Sequence, residues 1–274
     1  MTEGVFELRA VPVGTLPVPA WAAVFAANDT KLVDLGFYVW VVTDGHTVGL
    51  VDLGLPPDPA EAAALDEANR ALDRDGGFRD VRLVPDVLTE LGLSGDDIDF
   101  IAITQTVTYH TGGLDAGLFP RAHVYISLAG VGELLTGPSG HPPAPFFFTP
   151  MSWSALRQLA VEGRLHCVDA PTEIVPGVVF ETTGGHHPGS AGLRIRTQAG
   201  MTGLLETAFL QENLERRQPI GICEDVSRCR TVIHRYLQEC DEVVAIHEPS
   251  NASRFPAVGR RTLSSTRSNE PSPR

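Results

Sequence analysis

Apolar positions along this chain fall in short runs bounded by glycine, proline and acidic residues, and the runs predict a succession of strands and helices. Phe37-Tyr38-Val39-Trp40-Val41-Val42-Thr43 and Val48-Gly49-Leu50-Val51-Asp52 are β-branched and apolar, with the turn signal Asp44-Gly45-His46 between them. That pattern predicts a hairpin whose second strand ends at Asp52-Leu53-Gly54. Prolines at 56 and 57 lead into an Ala/Glu/Asp-rich helix over 60–72, closed by Gly76-Gly77, and a second helix over 84–91 stops at Gly92. Ser94-Gly95-Asp96-Asp97 caps a short turn before a strand at 100–104. A strand at 123–127, a helix at 128–135 and a helix at 152–161 follow. Strands at 178–182, 193–197 and 203–206 come next, then a helix over 227–240 capped by Asp225 or Ser227. A buried strand at 242–246 delivers His247 to its C-terminal end.

Residues 137–150, proline-rich and carrying Phe146-Phe147-Phe148, cannot form a central strand. They are expected to form a long ordered loop, either a lid over a pocket or an aromatic anchor to the core. From about Val258 the chain is polar and proline-bearing, so 1–257 is expected to form one α/β domain and 258–274 a disordered tail.

Composition narrows the function classes. With 34 acidic against 21 basic residues the formal charge is −13, which repels phosphate backbones and excludes nucleic acid as an expected partner. Lys31 is the single lysine, so a Schiff-base mechanism would have one position to use. Cys167, Cys223, Cys229 and Cys240 form no Cys-x-x-Cys pair and are expected to be reduced thiols. No apolar run is long enough for a membrane span and no basic n-region opens the chain, so a cytoplasmic protein is expected.

The most informative stretch is Ile101-Ala102-Ile103-Thr104-Gln105-Thr106-Val107-Thr108-Tyr109-His110-Thr111-Gly112-Gly113-Leu114. With the hairpin ending Val51-Asp52-Leu53-Gly54, the loop Gly185-His186-His187-Pro188-Gly189-Ser190, the segment 206–215 and Ile246-His247-Glu248-Pro249, it resembles the metallo-β-lactamase superfamily. The resemblance is to its N-acyl-homoserine-lactonase-like hydrolases, over roughly residues 30 to 257 with the motifs in family order.

The resemblance implies an αββα sandwich, two mixed β-sheets flanked by helices, with metals at one edge. It also implies a loop reading His-x-His-x-Asp-His, which here presents Gln105, Val107, Tyr109 and His110. One family zinc takes the first two histidines of that loop and the histidine of Gly-His-x-Pro-Gly. The other takes the loop Asp, its last His and the C-terminal His, and an Asp bridges the two. The first site therefore keeps only His186. The second keeps His110 and His247, with Glu206 for the bridging Asp and Tyr109 for the Asp ligand. His110, Glu206 and His247, with His186 as a fourth, form a donor set for one zinc or iron. The alternative is that these histidines persist as hydrogen-bonded packing and no metal binds. Asp52 matches a family residue that supports the metal loops, and His187 is either a general base or a solvated loop histidine.

Three functions stay open. The first is an enzyme acting on a small hydrophobic molecule without the dinuclear zinc centre. It would run a lyase, dehydratase, isomerase or cyclase step of the kind found in secondary metabolism, with Tyr109, Gln105 and His187 as the catalytic candidates. The second is a hydrolase of an ester, lactone or thioester using one metal. The third is a non-catalytic binding or scaffold protein with a filled cavity. A homodimer is compatible with all three.

Overall fold

The computed structural model describes residues 4–29, 31–136 and 146–257. Most of the proline-rich loop (137–145) and the expected tail (258–274) lie outside them. The strands, in chain order, are β1 (Glu7–Pro19), β2 (Leu32–Thr43), β3 (Val48–Val51), β4 (Phe100–Ala102), β5 (His123–Ser127), β6 (Leu165–Val168), β7 (Thr172–Val175), β8 (Val178–Thr182), β9 (Ala191–Thr197), β10 (Gly200–Leu205) and β11 (Glu242–Ala245). The helices are α1 (Ala20–Ala23), α2 (Pro59–Leu72), α3 (Val84–Leu91), α4 (Thr108–Thr111), α5 (Leu128–Thr136), α6 (Pro150–Val161), α7 (Gln211–Glu215), α8 (Val226–Glu239) and α9 (Asn251–Arg254).

Two sheets form, ordered β1-β2-β3-β4-β5-β6 and β11-β10-β9-β8-β7. Both are mixed: β3 to β6 run parallel while β1–β2 and β2–β3 are antiparallel, and β10 pairs parallel only with β11. The layering follows from alternation along β2. Tyr38, Trp40 and Val42 join Phe180, Leu193, Ile195, Leu204 and Val244 in a core between the sheets. Phe37, Val39 and Val41 turn the other way, onto a core shared with Val87 and Leu88 of α3 and Leu156 and Leu159 of α6. Leu205, Val243 and Ala245 on the outer face of the second sheet pack against Val232, Ile233 and Tyr236 of α8. Because β2 is covered on both faces from Leu35 onward, its residues 37–42 form an unbroken apolar run rather than an alternating one.

The apolar pattern leaves out β1, β6 and β7, and each is an edge strand. β1 carries Pro12, Pro17 and Pro19 and shifts register between Pro12 and Gly14, which an edge tolerates and a central strand does not. Cys167, His166, Glu173 and Ile174 leave β6 and β7 partly open to solvent. Helix α6 begins at Pro150, two residues before its expected start, with the Thr149 side chain accepting from Ser152 N.

Gly112-Gly113 serve a close approach of two backbone segments. Gly112 keeps a right-handed helical backbone, but a Cβ there would stand 2.3 Å from Pro56 N, and one at Gly113 2.4 Å from Leu53 O. The two glycines let α4 press against the segment leaving β3.

Candidate active site

Four side chains converge where both sheets end. His110 is in α4, the single helical turn that follows β4. His186 lies in the β8–β9 loop, Glu206 just after β10, and His247 just after β11. His110, Glu206 and His247 offer ligand atoms that all lie within 4.8 Å of one another. His186 adds its Nε2, 3.7 Å from Glu206 Oε1.

Each histidine is held through Nδ1 by an oxygen that lies away from Glu206. His110 Nδ1 is 2.8 Å from Asp52 Oδ2, His186 Nδ1 is 3.0 Å from Ile222 O, and His247 Nδ1 is 3.0 Å from Gly36 O. An oxygen acceptor at Nδ1 places the proton there and leaves the Nε2 lone pair free, which is how metal-binding histidines are oriented. Asp52 is itself fixed by three bonds. Its Oδ1 accepts from Thr104 N at 2.8 Å, and its Oδ2 accepts from Thr104 Oγ1 at 2.6 Å as well as facing His110. It adopts φ +60°, a backbone state a non-glycine residue keeps only when its surroundings fix it.

Glu206 is fully buried, and neither carboxylate oxygen has a hydrogen-bond partner. The Ser190 hydroxyl eases its charge slightly but does not reach hydrogen-bonding geometry. Burial pushes its carboxyl up to about 7, a rise that His110 partly opposes. Burial also drives the His186 imidazole down to about 3 and His247 well below the usual histidine range. Burial would depress His110 too, but the adjoining Asp52 carboxylate outweighs it and the net direction is upward. A buried carboxylate with no donor, facing imidazole lone pairs, is electrostatically incomplete. The donor set fits a single divalent cation.

His110, His186 and His247 line the floor of a cavity of about 420 Å³, with Leu16, Val18, Trp21, Leu35, Phe37, Phe146, Phe209 and Ile222 and the polar residues Asn69, Asp73, Gln105, Tyr109 and His187 around it. No lysine or arginine lines it among the described residues. The aromatic run is split in role. Phe146 walls the cavity, Phe147 bridges to Val107, and Phe148 is buried in the core against Trp153.

The remaining sequence candidates divide. Gln105 is 5 % exposed and lines the cavity. Val107 is buried and lines the cavity. Tyr109 lines the cavity, but its hydroxyl donates to Asn69 Oδ1 at 2.8 Å. Its ring packs among Phe37, Phe78 and Phe146, and burial pushes its phenol far above its ordinary range. His187 is buried rather than solvated. Gly189 N donates to its Nδ1, the opposite arrangement to the other three histidines. Its Nε2 therefore carries the proton and stands 3.0 Å from Glu133 Oε2.

Asn69, Glu133 and Glu224, which groups with Glu133 and His187, were not singled out from the sequence, because helix and loop residues far from any motif give no spacing signal. His123 and His166 face each other at 2.9 Å across β5 and β6; their adjacency follows from the parallel register, which the sequence does not display. His141 lies outside the described residues. All four cysteines are free. No helix among the described residues is long and apolar enough to cross a membrane.

No protein-family profile and no curated protein sequence matches the chain. Solved structures do. The chain is similar to a quorum-quenching N-acyl homoserine lactone lactonase at TM-score 0.71 and 20% identity, over 93% of this chain and 97% of that one. It is similar to a probable metal-dependent hydrolase from Staphylococcus aureus at TM-score 0.68 and 16% identity, over 90% and 91%. A third, a hydrolase of the β-lactamase superfamily, aligns at TM-score 0.66 and 16% identity over 92% and 90%.

Proposed function

The chain has the metallo-β-lactamase fold, and on that scaffold we propose that it is a hydrolase of an uncharged, largely apolar ester, lactone or thioester, working with one divalent metal. The observation that carries the reading is the Glu206 carboxylate, fully buried and without a hydrogen-bond donor, with His186 Nε2 at 3.7 Å and His110 and His247 grouped around it. The similar structures include an N-acyl homoserine lactone hydrolase with product at its catalytic metal centre. That supports hydrolysis over the lyase, dehydratase, isomerase or cyclase step otherwise expected. An open cavity above the cluster speaks against a filled, non-catalytic one.

A single ion held by His110, Glu206 and His247 supplies, when bound, a polarised acyl oxygen and water acidified toward neutral pH. The protein does the rest. Apolar walls exclude bulk water and admit a neutral body, and the lack of a lining cation disfavours anionic substrates. Gln105 presents an amide at the floor, a donor for the acyl oxygen in place of a second ion. His187, neutral and with its Nε2 3.0 Å from Glu133 Oε2, closes the cavity edge. Tyr109, its proton committed to Asn69, shapes the wall. Four free thiols agree with action in a reducing compartment such as the cytoplasm.

Turnover of a panel of aryl esters, lactones and thioesters by the metal-reconstituted chain tests this. Glu206→Ala is expected to lose the metal and at least a hundredfold in kcat/KM, and Gln105→Leu to lower kcat with metal content unchanged. A metal-loaded protein that hydrolyses none of them refutes the reading.

A further inference from the structure

Cys223 stands in the middle of the segment that holds the His186 imidazole. On one side of it, Ile222 O accepts from His186 Nδ1 at 3.0 Å. On the other, Glu224 N donates to His186 O at 3.2 Å and Asp225 N donates to Gly185 O at 2.9 Å. Asp225 then caps α8, its side chain accepting from Arg228 N, and the turn that follows brings Cys229 back beneath the same loop. Gly185 sits at φ +91°, and a Cβ there would stand 2.9 Å from Cys229 Sγ. Burial, and after it the adjoining Cys223 thiol, push the Cys229 thiol far above its ordinary range, so Cys229 rests uncharged. Cys223 is partly exposed where Cys229 is buried. A sulfur that an oxidant reaches thus stands beside one that it does not.

We infer that Cys223 and Cys229 are a peroxide-sensitive dithiol whose oxidation to a disulfide unhooks His186 and, on the hydrolase reading above, stops turnover. The Cys223 sulfur, as thiolate, attacks the peroxide. An S–O bond forms, the O–O bond breaks, and the hydroxide that leaves takes the proton Cys223 gave up. The Cys229 sulfur then attacks the Cys223 sulfur, so that the S–S bond forms, the S–O bond breaks, and the second hydroxide takes the Cys229 proton. Two thiols and one peroxide give one disulfide and two waters. The bond needs its sulfurs about 2.05 Å apart, far inside the contact distance of two thiols. Cys229 is fully buried in α8, so Cys223 makes the movement, and Ile222 and Glu224, joined to it on either side, move with it. The carbonyl of Ile222 leaves His186 Nδ1, and its side chain, which walls the cavity, shifts. In a reducing compartment the pair stays open until peroxide outruns the thiol pool.

The test treats the full-length chain, loaded with zinc because that ion takes no part in redox chemistry, with a slight excess of hydrogen peroxide. Mass spectrometry is expected to find the chain lighter by two hydrogens and the peptides carrying Cys223 and Cys229 joined, both reversed by dithiothreitol. The His186 Nδ1–H proton, protected by Ile222 O and identified in the NMR spectrum by its absence from His186→Gln, is expected to disappear on oxidation and return on reduction. Ester turnover should fall at least tenfold and recover with it. Cys223→Ser, at a partly exposed position, should keep both the proton signal and its turnover under peroxide, and Cys229→Ala should do the same. Oxidation that leaves the two sulfurs unlinked, or a linked form that keeps the Nδ1–H signal or full turnover, would overturn the inference. The mass and NMR readouts need no substrate, so a failure of the hydrolase reading appears separately, as a reduced chain that turns over no ester while the disulfide still forms and the signal still goes.

Discussion

The Tyr109 hydroxyl donates to Asn69 Oδ1 at 2.8 Å, tying α4 to α2 across the side of the cavity. The phenol thus belongs to the cavity wall. Tyr109→Phe should leave metal content unchanged and cost about 1 kcal/mol of stability, rising toward about 3 kcal/mol because Asn69 Oδ1 loses its donor. Elemental analysis together with urea unfolding checks both halves, and a halved metal content would show that Tyr109 coordinates after all.

Glu206 sets function against stability. Glu206→Gln removes a buried carboxylate that lacks a hydrogen-bond donor, so the metal-free variant should unfold at higher temperature than the metal-free parent at pH 8, by an amount corresponding to roughly 1–3 kcal/mol. The same variant should bind metal at least tenfold more weakly. A lower melting temperature for the metal-free variant would mean the carboxylate is already satisfied without an ion.

The metal-free protein should be most stable near pH 6.5. The Glu206 carboxyl stands raised, at about 7 against 4.5, so its contribution is complete below about 4.5 and is lost as pH rises through about 7, roughly 3 kcal/mol in all. The His186 and His187 imidazoles stand depressed, at about 3 and about 4. Their contributions are complete above about 6.5 and are lost as pH falls toward those values. His247, also depressed, acts in the same sense as those two. His110, raised, acts in the same sense as Glu206. Three histidines thus oppose two groups, and stability declines on the acid side. The metal-loaded protein should instead gain stability up to about pH 8, because protons compete with the ion for the same atoms. Chemical unfolding at pH 5, 6.5 and 8.5, with and without chelator, separates the two profiles, and identical profiles would argue against metal at this cluster.

Asp52→Asn keeps the size of the side chain and tolerates φ +60°, but it puts an amide where His110 Nδ1 and the Thr104 hydroxyl meet a carboxylate oxygen. Metal affinity is expected to fall ten- to a hundredfold, the usual cost of losing an orienting partner behind a histidine ligand, while circular dichroism stays unchanged. Unaltered affinity would assign Asp52 to the fold alone.

Much of the layout was legible: burial on both faces leaves a strong apolar imprint in β2 and β5, while α2 and α3 lie between the proline and glycine signals that bound them. Edge strands left a weak imprint. β1 is interrupted by proline, and β6 and β7 are half open to water, so neither length nor alternation marked them. In the site, His110, His186, Glu206 and His247 were singled out through the family resemblance, and the structure brings their side chains to one place. The orienting partners were not, apart from Asp52. Gly36 O and Ile222 O are backbone atoms, and no sequence shows which carbonyl a histidine will meet. Asn69 and Glu133 come from helices that reach the cavity only through packing.

Each donor at the cavity floor is carried by a different stretch of backbone, and the stretches meet only once both sheets have assembled. A nascent or unfolded chain therefore holds no chelating pair in sequence. Selection among cations would then fall to the finished architecture, in which fixed oxygens aim the three imidazoles toward one buried carboxylate.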